Sequence, residues 1–247
     1  MADYQTIPRT GAGTRALEID EGLRAHMNKV YGLMSVGMLL TGAVAWAVGT
    51  SETLLAIFRD PATLQPNILG WIVMFLPLIM VFAFGAVLQR ASAATAQLFF
   101  YAYAAVMGLS LAWIFQVFTG VSIAQTFLIT AIAFAGLSLY GYTTKKDLSG
   151  FGTFLMMGLI GLLVAMVVNI FLASSAMAFA ISVIGVLLFA GLTAYDTQNI
   201  KNTYLQHAQV GDSEWLGKAA IMGALQLYLD FINLFMFLLQ FMGNNRN

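Results

Sequence analysis

The chain has no cysteine, only two histidines and little charge for its length of 247 residues. The absence of cysteine excludes a disulfide-stapled scaffold. Charged residues make up 9% of the sequence, against about 25% in a typical soluble domain. So few charges cannot cover a water-facing surface, and a soluble enzyme, a nucleic-acid-binding protein and a disordered chain are therefore disfavoured. The net charge of zero also provides no attraction for a polyanionic partner.

Long apolar stretches without charge are the dominant feature that remains, and hydrophobic residues make up 60% of the chain. A membrane helix needs about 20 mostly apolar residues. Residues 91–144 and 148–195 carry no charge, and each stretch is long enough for two helices joined by a tight turn. These turns are predicted at Phe118-Thr119-Gly120 and near Ala173-Ser174-Ser175. Polarity does not alternate along the stretches, which disfavours the strands of a membrane barrel.

The sequence therefore predicts an all-α integral membrane protein with a seven-helix transmembrane domain over residues 30–242. Spans one to seven are placed near 30–49, 68–88, 98–117, 122–142, 151–172, 176–198 and 219–242. Residues 1–29 are predicted to be a cytoplasmic N-terminal tail, and residues 243–247 a short C-terminal tail. Apolar residues recur in the N-terminal tail at three- and four-residue spacing: Ala16, Ile19, Leu23, Met27 and Val30. This pattern is compatible with an interfacial helix leading into span one, and a mobile tail is the alternative.

The basic residues are unequally divided between the two sides that seven spans define. Nine lie on the side of the N-terminus: Arg9, Arg15, Arg24, Lys29, Arg90, Lys145, Lys146, Lys201 and Lys218. Two lie on the other side: Arg59 and Arg246. Cytoplasmic loops carry the excess of Lys and Arg, so the N-terminus is predicted in the cytoplasm and the C-terminus outside a bacterial inner membrane. Acidic residues before the first apolar run are unlike a signal peptide, so we expect span one to be retained.

Signatures of catalysis are missing from the sequence. Both histidines, His26 and His207, lie outside the predicted spans, and no metalloprotease, nucleophile-elbow, dinucleotide-binding or P-loop motif occurs. We therefore expect no enzymatic activity and no tightly bound cofactor.

Asp230 is the outlier of the last span, because it lies roughly midway along an otherwise uncharged helix. A carboxylate at that depth costs about 2.5–3.5 kcal/mol on insertion scales, and such residues usually mark ion or proton pathways. Gln226 and Asn233, four residues before and three after, add polarity to the same face. The structural alternative is a protonated carboxyl that only hydrogen-bonds another helix.

Asp196 is the second candidate, at the end of the charge-free stretch of span six. Thr193 and Asn199 lie near its face at helical spacing. The alternative is an aspartate that is solvated at the membrane boundary or caps a helix, and the sequence does not decide between the two.

Four segments carry a resemblance to the Bax inhibitor-1 family. They are Ala194-Tyr195-Asp196-Thr197-Gln198, Leu227-Tyr228-Leu229-Asp230-Phe231-Ile232-Asn233-Leu234-Phe235, Lys145-Lys146-Asp147-Leu148-Ser149-Gly150 and Tyr103-Ala104-Ala105-Val106-Met107-Gly108-Leu109-Ser110. The resemblance implies six membrane helices around a central C-terminal helix. It also implies a pH-sensitive cation leak, notably of Ca²⁺, with Asp196 and Asp230 as the sensor.

Further roles follow from the same resemblance. Some family members latch the aspartate pair with a basic residue of span two, for which Arg90 is the nearest candidate here. Some bacterial relatives are similar to regulators of a membrane-bound AAA protease, so an interaction protein acting through its N-terminal tail is the competing function. Calcium is expected as a permeant ion at a weak site of Asp196 and Asp230, with Asn199, Asn233 and Gln226 as supporting polar groups.

One geometric difficulty concerns the depth of the two aspartates. Counted from the outer ends of the predicted spans, Asp196 lies about 12 Å deeper along its helix than Asp230 does. Contact between them therefore requires tilt, a vertical offset or different helix boundaries.

Overall fold

The computed structural model describes residues 10–60, 63, 65–208 and 212–244, with side chains from residue 19 onward. Nine α-helices make up this part of the chain. They are α1 (Thr10–Gly49), α2 (Glu52–Ala56), α3 (Ile68–Arg90), α4 (Ala93–Leu111), α5 (Ile114–Val117), α6 (Gly120–Thr143), α7 (Ser149–Leu172), α8 (Ser175–His207) and α9 (Ser213–Met242). Seven segments are long and apolar enough to cross a membrane: those of α1, α3, α4 with α5, α6, α7, α8 and α9.

The prediction of an all-α protein with seven spans is confirmed, and so are the two turns within the charge-free stretches. Helix α6 begins at Gly120, and α7 ends at Leu172 before α8 begins at Ser175. Ala173, between α7 and α8, takes the left-handed conformation at φ 47° that commonly ends a helix.

Polar side chains at the helix starts explain where several helices begin. Each accepts a hydrogen bond from a backbone N–H of the first turn, which would otherwise be unpaired near the edge of the bilayer. These N-caps are Ser51, Asn67, Ser92, Thr119, Ser174 and Asp212. A tight turn of capping residues between two apolar runs is therefore enough to divide one charge-free stretch into two helices.

Helix α1 runs without a break from Thr10 through the first span. The helical alternative for the N-terminal segment is therefore correct for residues 10–29, while residues 1–9 lie outside the described part of the chain. Leu23, Met27 and Val30 are buried in the protein core. The predicted apolar face thus packs against other helices, and the apolar segment begins at Ile19, before the predicted start of span one.

Helix α9 is the most extensively buried of the seven spans. It packs against α1, α4, α6 and α8, whereas α3 packs on α4, and α7 packs on α8. The prediction of six helices around the C-terminal one stays a prediction, since α3 and α7 have their main contacts with other helices.

Two hydrogen bonds join helices close to loops that carry several of the basic residues. Lys201 of α8 donates to the carbonyl of Tyr142 at the end of α6, at 2.7 Å. Glu214 of α9 accepts from the backbone N–H of Ala93 at the start of α4, at 2.6 Å. The first contact joins α8 to the end of α6, and the second joins the start of α9 to the start of α4. Which side of the membrane the start of α9 faces stays a prediction.

The opposite end of the bundle is joined by hydrogen bonds around the end of α9. The backbone N–H of Asn244 donates to the hydroxyl of Ser122, at 2.9 Å, and the N–H of Thr119 donates to the carbonyl of Asn244, at 3.2 Å. Helix α9 is thus attached to the start of α4 at one end and to the start of α6 at the other.

Candidate functional site between the last two membrane helices

Asp196 of α8 and Asp230 of α9 lie side by side, with their carboxyl groups within hydrogen-bond range of each other. Asp230 is 4% exposed, and Asp196 is partly buried. Two carboxyl groups can form a hydrogen bond only if one of them carries a proton. The arrangement therefore accommodates a shared proton between the two helices.

Asp230 lies among apolar side chains, where the ionised form of its carboxyl group is energetically unfavourable. Leu227 and Leu234, one turn away on either side, are almost completely buried, at 0% and 1% exposure. In the described part of the chain, Oδ2 of Asp230 is the one buried side-chain oxygen or nitrogen without a hydrogen-bond partner. A buried polar atom in this state carries a desolvation cost, so the site favours either a proton or an incoming cation.

The structure brings the two aspartates together, although Asp196 follows the start of α8 at Ser175 by 21 residues and Asp230 precedes the end of α9 at Met242 by 12. Helix α8 does not end near residue 198, as predicted, but continues to His207, about three turns beyond Asp196. The prediction was too short because the last turns are polar on one side, while Ile200 and Tyr204 keep an apolar face buried. Asp196 is therefore an interior residue of a long helix and does not lie at its end.

The polar residues predicted to support the pair are divided between two places. Asn199 and Gln226 line a common cavity of about 390 Å³, together with His26 and Lys218. This cavity begins one turn from each aspartate, because Asn199 follows Asp196 by three residues and Gln226 precedes Asp230 by four. The amide of Asn233 instead donates to the carbonyl of Leu229 in its own helix, at 2.8 Å.

Arg90 lies exposed at the C-terminal end of α3, a helix that packs on α4. In the described part of the chain the one ion pair is that of Lys218 with Glu214, so Arg90 forms none with either aspartate. The structure therefore does not bring the predicted latch to the two carboxyls.

Ligands for a tightly held metal are sparse around the pair. In the described part of the chain, no three His, Cys, Asp or Glu side chains come together in a way that could hold a metal ion. Ca²⁺ takes six to eight oxygen ligands, and two carboxyls supply only a fraction of them. The two carboxyls by themselves therefore do not complete a coordination shell for Ca²⁺.

A chain of hydroxyl groups beside the aspartate pair was not predicted from the sequence. The Tyr31 hydroxyl contacts that of Ser138 at 2.7 Å, and Ser138 contacts the hydroxyl of Thr197 at 2.9 Å. Thr197 directly follows Asp196, so the chain links α1, α6 and α8 next to the site. Isolated hydroxyls in three separate spans give no sign of their pairing in a single sequence.

Seven helices long and apolar enough to cross a membrane are typical of a multi-pass membrane protein, and the buried Asp230 places an ionisable group in its interior. The sequence profile described as "Inhibitor of apoptosis-promoting Bax1" matches residues 23–247. The chain belongs to this family, the Bax inhibitor-1 family, and the resemblance seen in the sequence is confirmed.

Relatives from several bacteria are similar over nearly their whole length. The chain is 47% identical to "Inner membrane protein YbhL" of Escherichia coli, over 91% of this chain and 94% of that protein. It is 45% identical to a protein of Caulobacter vibrioides, over 93% and 92% of the two chains. A protein of Rickettsia prowazekii is 42% identical over 100% of both. Together with the seven apolar helices, these likenesses identify a multi-pass inner membrane protein.

Proposed function

We propose that the protein is a pH-sensitive cation leak channel of the inner membrane, with calcium as its permeant ion and Asp196 and Asp230 as its sensor. The observation that supports this most directly is the contact between two carboxyl groups inside the bundle, one of them 4% exposed. Ionisable residues inside a membrane are costly and usually mark ion or proton pathways.

The proposed gate is electrostatic. A proton held between the carboxyls keeps α8 and α9 in contact at this level. Loss of the proton leaves two like charges side by side in a poorly solvated place, where they repel each other or admit a cation. Flux is therefore lowest at low pH and rises as the pH rises.

A cavity close to the pair supports an ion path on one side. The cavity lined by Asn199 and Gln226 begins one turn from the aspartates and extends to Lys218 and His26. Two carboxyls, with Asn199, Asn233 and water, make a weak site that an ion can leave, as conduction requires. On this proposal the chain catalyses no reaction and holds no cofactor tightly, and calcium is its cargo.

The test is calcium flux into liposomes that contain the purified full-length chain and a calcium-sensitive dye, measured from about pH 5 to about pH 8. Asp230→Asn is expected to abolish the pH dependence of flux, because asparagine keeps the size of the side chain but cannot ionise. Asp196→Asn is expected to do the same, and the double variant to be no worse than either single one, since the two residues act as a unit. Asp147→Asn, in an exposed loop, is the matched control and is expected to keep the wild-type response.

Two outcomes would contradict the proposal. If Asp196→Asn keeps a normal pH response while Asp230→Asn loses it, Asp230 acts alone and the pair is refuted. If both variants respond to pH like the wild type, the carboxyls are structural.

The competing proposal is a membrane-embedded interaction protein that modulates a membrane-bound AAA protease or another membrane protein. It is supported by the early turns of α1, where Asp20, Glu21 and Arg24 are exposed on a helix that continues into the bundle. Flux in liposomes that contain no other protein separates the two functions, because a leak needs no partner.

A further inference from the structure

A groove of about 870 Å³ lies between α1 and α6, away from the cavity beside the aspartate pair. Its walls are mostly apolar, and Phe231 of α9 also lines it. Leu39 of α1 and Leu139 of α6 line the groove and are 73% and 62% exposed. In a seven-span membrane protein such exposed leucines face hydrocarbon, so the groove is open sideways to the bilayer.

One end of this groove is polar and basic. Arg24 and Asn28 of α1 and Tyr142 of α6 line that end. The ammonium group of Lys201 lies beside it, because it donates to the Tyr142 carbonyl at 2.7 Å and is 5.4 Å from the centre of the Tyr142 ring. Within the described residues the one ion pair is that of Lys218 with Glu214, so neither Arg24 nor Lys201 is in an ion pair there.

The length of the groove matches a lipid chain. From Arg24 to Leu39, α1 rises about 22 Å, and α6 covers a similar distance from Phe127 to Tyr142 in the opposite direction. One leaflet of hydrocarbon is about 15 Å thick. The groove is therefore long enough for an extended acyl chain, with a headgroup at the basic end.

We propose that this groove binds one molecule of an anionic phospholipid, with an acyl chain between α1 and α6 and the phosphate between Arg24 and Lys201. Basic residues near a membrane surface attract anionic lipids, and a cavity of this size lies in the usual range for small-molecule sites. A second copy of the chain fits the groove less well. In a two-fold dimer across this face each subunit would present the same basic end, which places like charges near one another.

The test is native mass spectrometry of the purified full-length chain in detergent, titrated with phosphatidylglycerol or with phosphatidylcholine of the same acyl chains. We expect one phosphatidylglycerol to bind at lower concentration than phosphatidylcholine. Arg24→Gln is expected to weaken phosphatidylglycerol binding about fivefold and to leave phosphatidylcholine binding unchanged. The control is Lys146→Gln, which removes a charge from an exposed side chain in the loop after α6. It is expected to bind both lipids like the wild type.

Two variants test the apolar part of the groove. Ala135→Trp on α6 and Ser35→Trp on α1 place an indole in it from opposite walls, and either is expected to abolish binding of both lipids. Ala133→Trp, also exposed on α6 but outside the groove lining, is expected to bind like the wild type.

Three results would overturn the proposal. The first is equal binding of the two lipids by the wild type. The second is unchanged lipid binding in both groove-filling variants. The third is a dimer that Ala135→Trp or Ser35→Trp dissociates, which would assign the groove to a second copy of the chain.

Discussion

Helices α9 and α7 are both apolar membrane spans, yet they occupy opposite environments. The most apolar 18-residue stretch of α9 has a mean hydropathy of 1.7, and 67% of it is buried inside the protein. The corresponding stretch of α7 has a mean hydropathy of 2.6, and only 11% of it is buried. The more hydrophobic helix is thus the more exposed one. In a bilayer the surface is already apolar, so polarity rather than hydrophobicity marks the helix that other helices enclose.

The largest expected difference in unfolding free energy comes from replacing one leucine by alanine in each of the two helices. Leu234→Ala in α9 removes a side chain that is 1% exposed and leaves a cavity, which is expected to cost about 2–5 kcal/mol of unfolding free energy. Leu163→Ala in α7 changes a side chain that is 53% exposed, where lipid fills the space, and is expected to cost less than about 0.5 kcal/mol. Equilibrium unfolding in mixed micelles, followed by circular dichroism, measures both. Equal losses would show that α9 is not the interior helix.

A second contrast replaces one glycine of α8 and one of α7 by leucine. Both substitutions raise helix propensity by the same amount, so that any difference between them comes from packing. A Cβ at Gly185 of α8 would lie 2.6 Å from the Phe237 ring of α9, whereas one at Gly161 of α7 would meet open space. Gly185→Leu is therefore expected to destabilise the protein by roughly 1–3 kcal/mol, and Gly161→Leu to leave it unchanged or stabilise it. The same unfolding assay applies. A stable Gly185→Leu variant would indicate looser packing between α8 and α9 than the structure has.

The smallest expected effect concerns the loop that leads into α7. Hydrogen bonds from the backbone N–H and side chain of Ser149 lower the pKa of Asp147 below its ordinary value. A carboxyl with a lowered pKa in the folded state stabilises it above the unfolded pKa of about 3.9, and that contribution disappears as the pH falls through the folded pKa. Asp147→Ala is thus expected to lower the melting temperature slightly at pH 7, and the difference from wild type to vanish in strong acid. A difference that stays constant with pH would show that the charge contributes nothing.

The number of spans was predictable from sequence because it rests on a large free energy, and Asp230 stood out for the same reason, whereas Asp196 at the end of its charge-free stretch did not. Charged residues are expensive in hydrocarbon, so their absence outlines the spans, and one carboxylate among apolar residues is conspicuous. The end of α8 was not predictable on that basis. Its last turns carry Lys201 and other polar residues outside the apolar core, and helix propensity and packing rather than hydropathy continue the helix there.

Contacts between side chains of different helices could not be predicted from a single sequence. The contact of Asp196 with Asp230 entered only through the family resemblance, and the spacing of the residues argued against it. The hydroxyl chain from Tyr31 to Thr197 had no sequence signal, because it depends on how three helices pack. Among the described residues Arg90 forms no ion pair with either aspartate, although Leu88 and Gln89 at the end of α3 line the same cavity as Asn199 and Gln226.

The attachment of α9 at both of its ends has a mechanical consequence. Glu214 holds one end to the start of α4, and Asn244 holds the other to Ser122 at the start of α6. Hydrogen bonds at both ends oppose sliding and tilting of α9 relative to α4 and α6. We therefore expect a separation of the two aspartates to come from movement of α8, together with α7, which packs on it. We expect labels on α7 and α8 to move together relative to α9 when the pH changes.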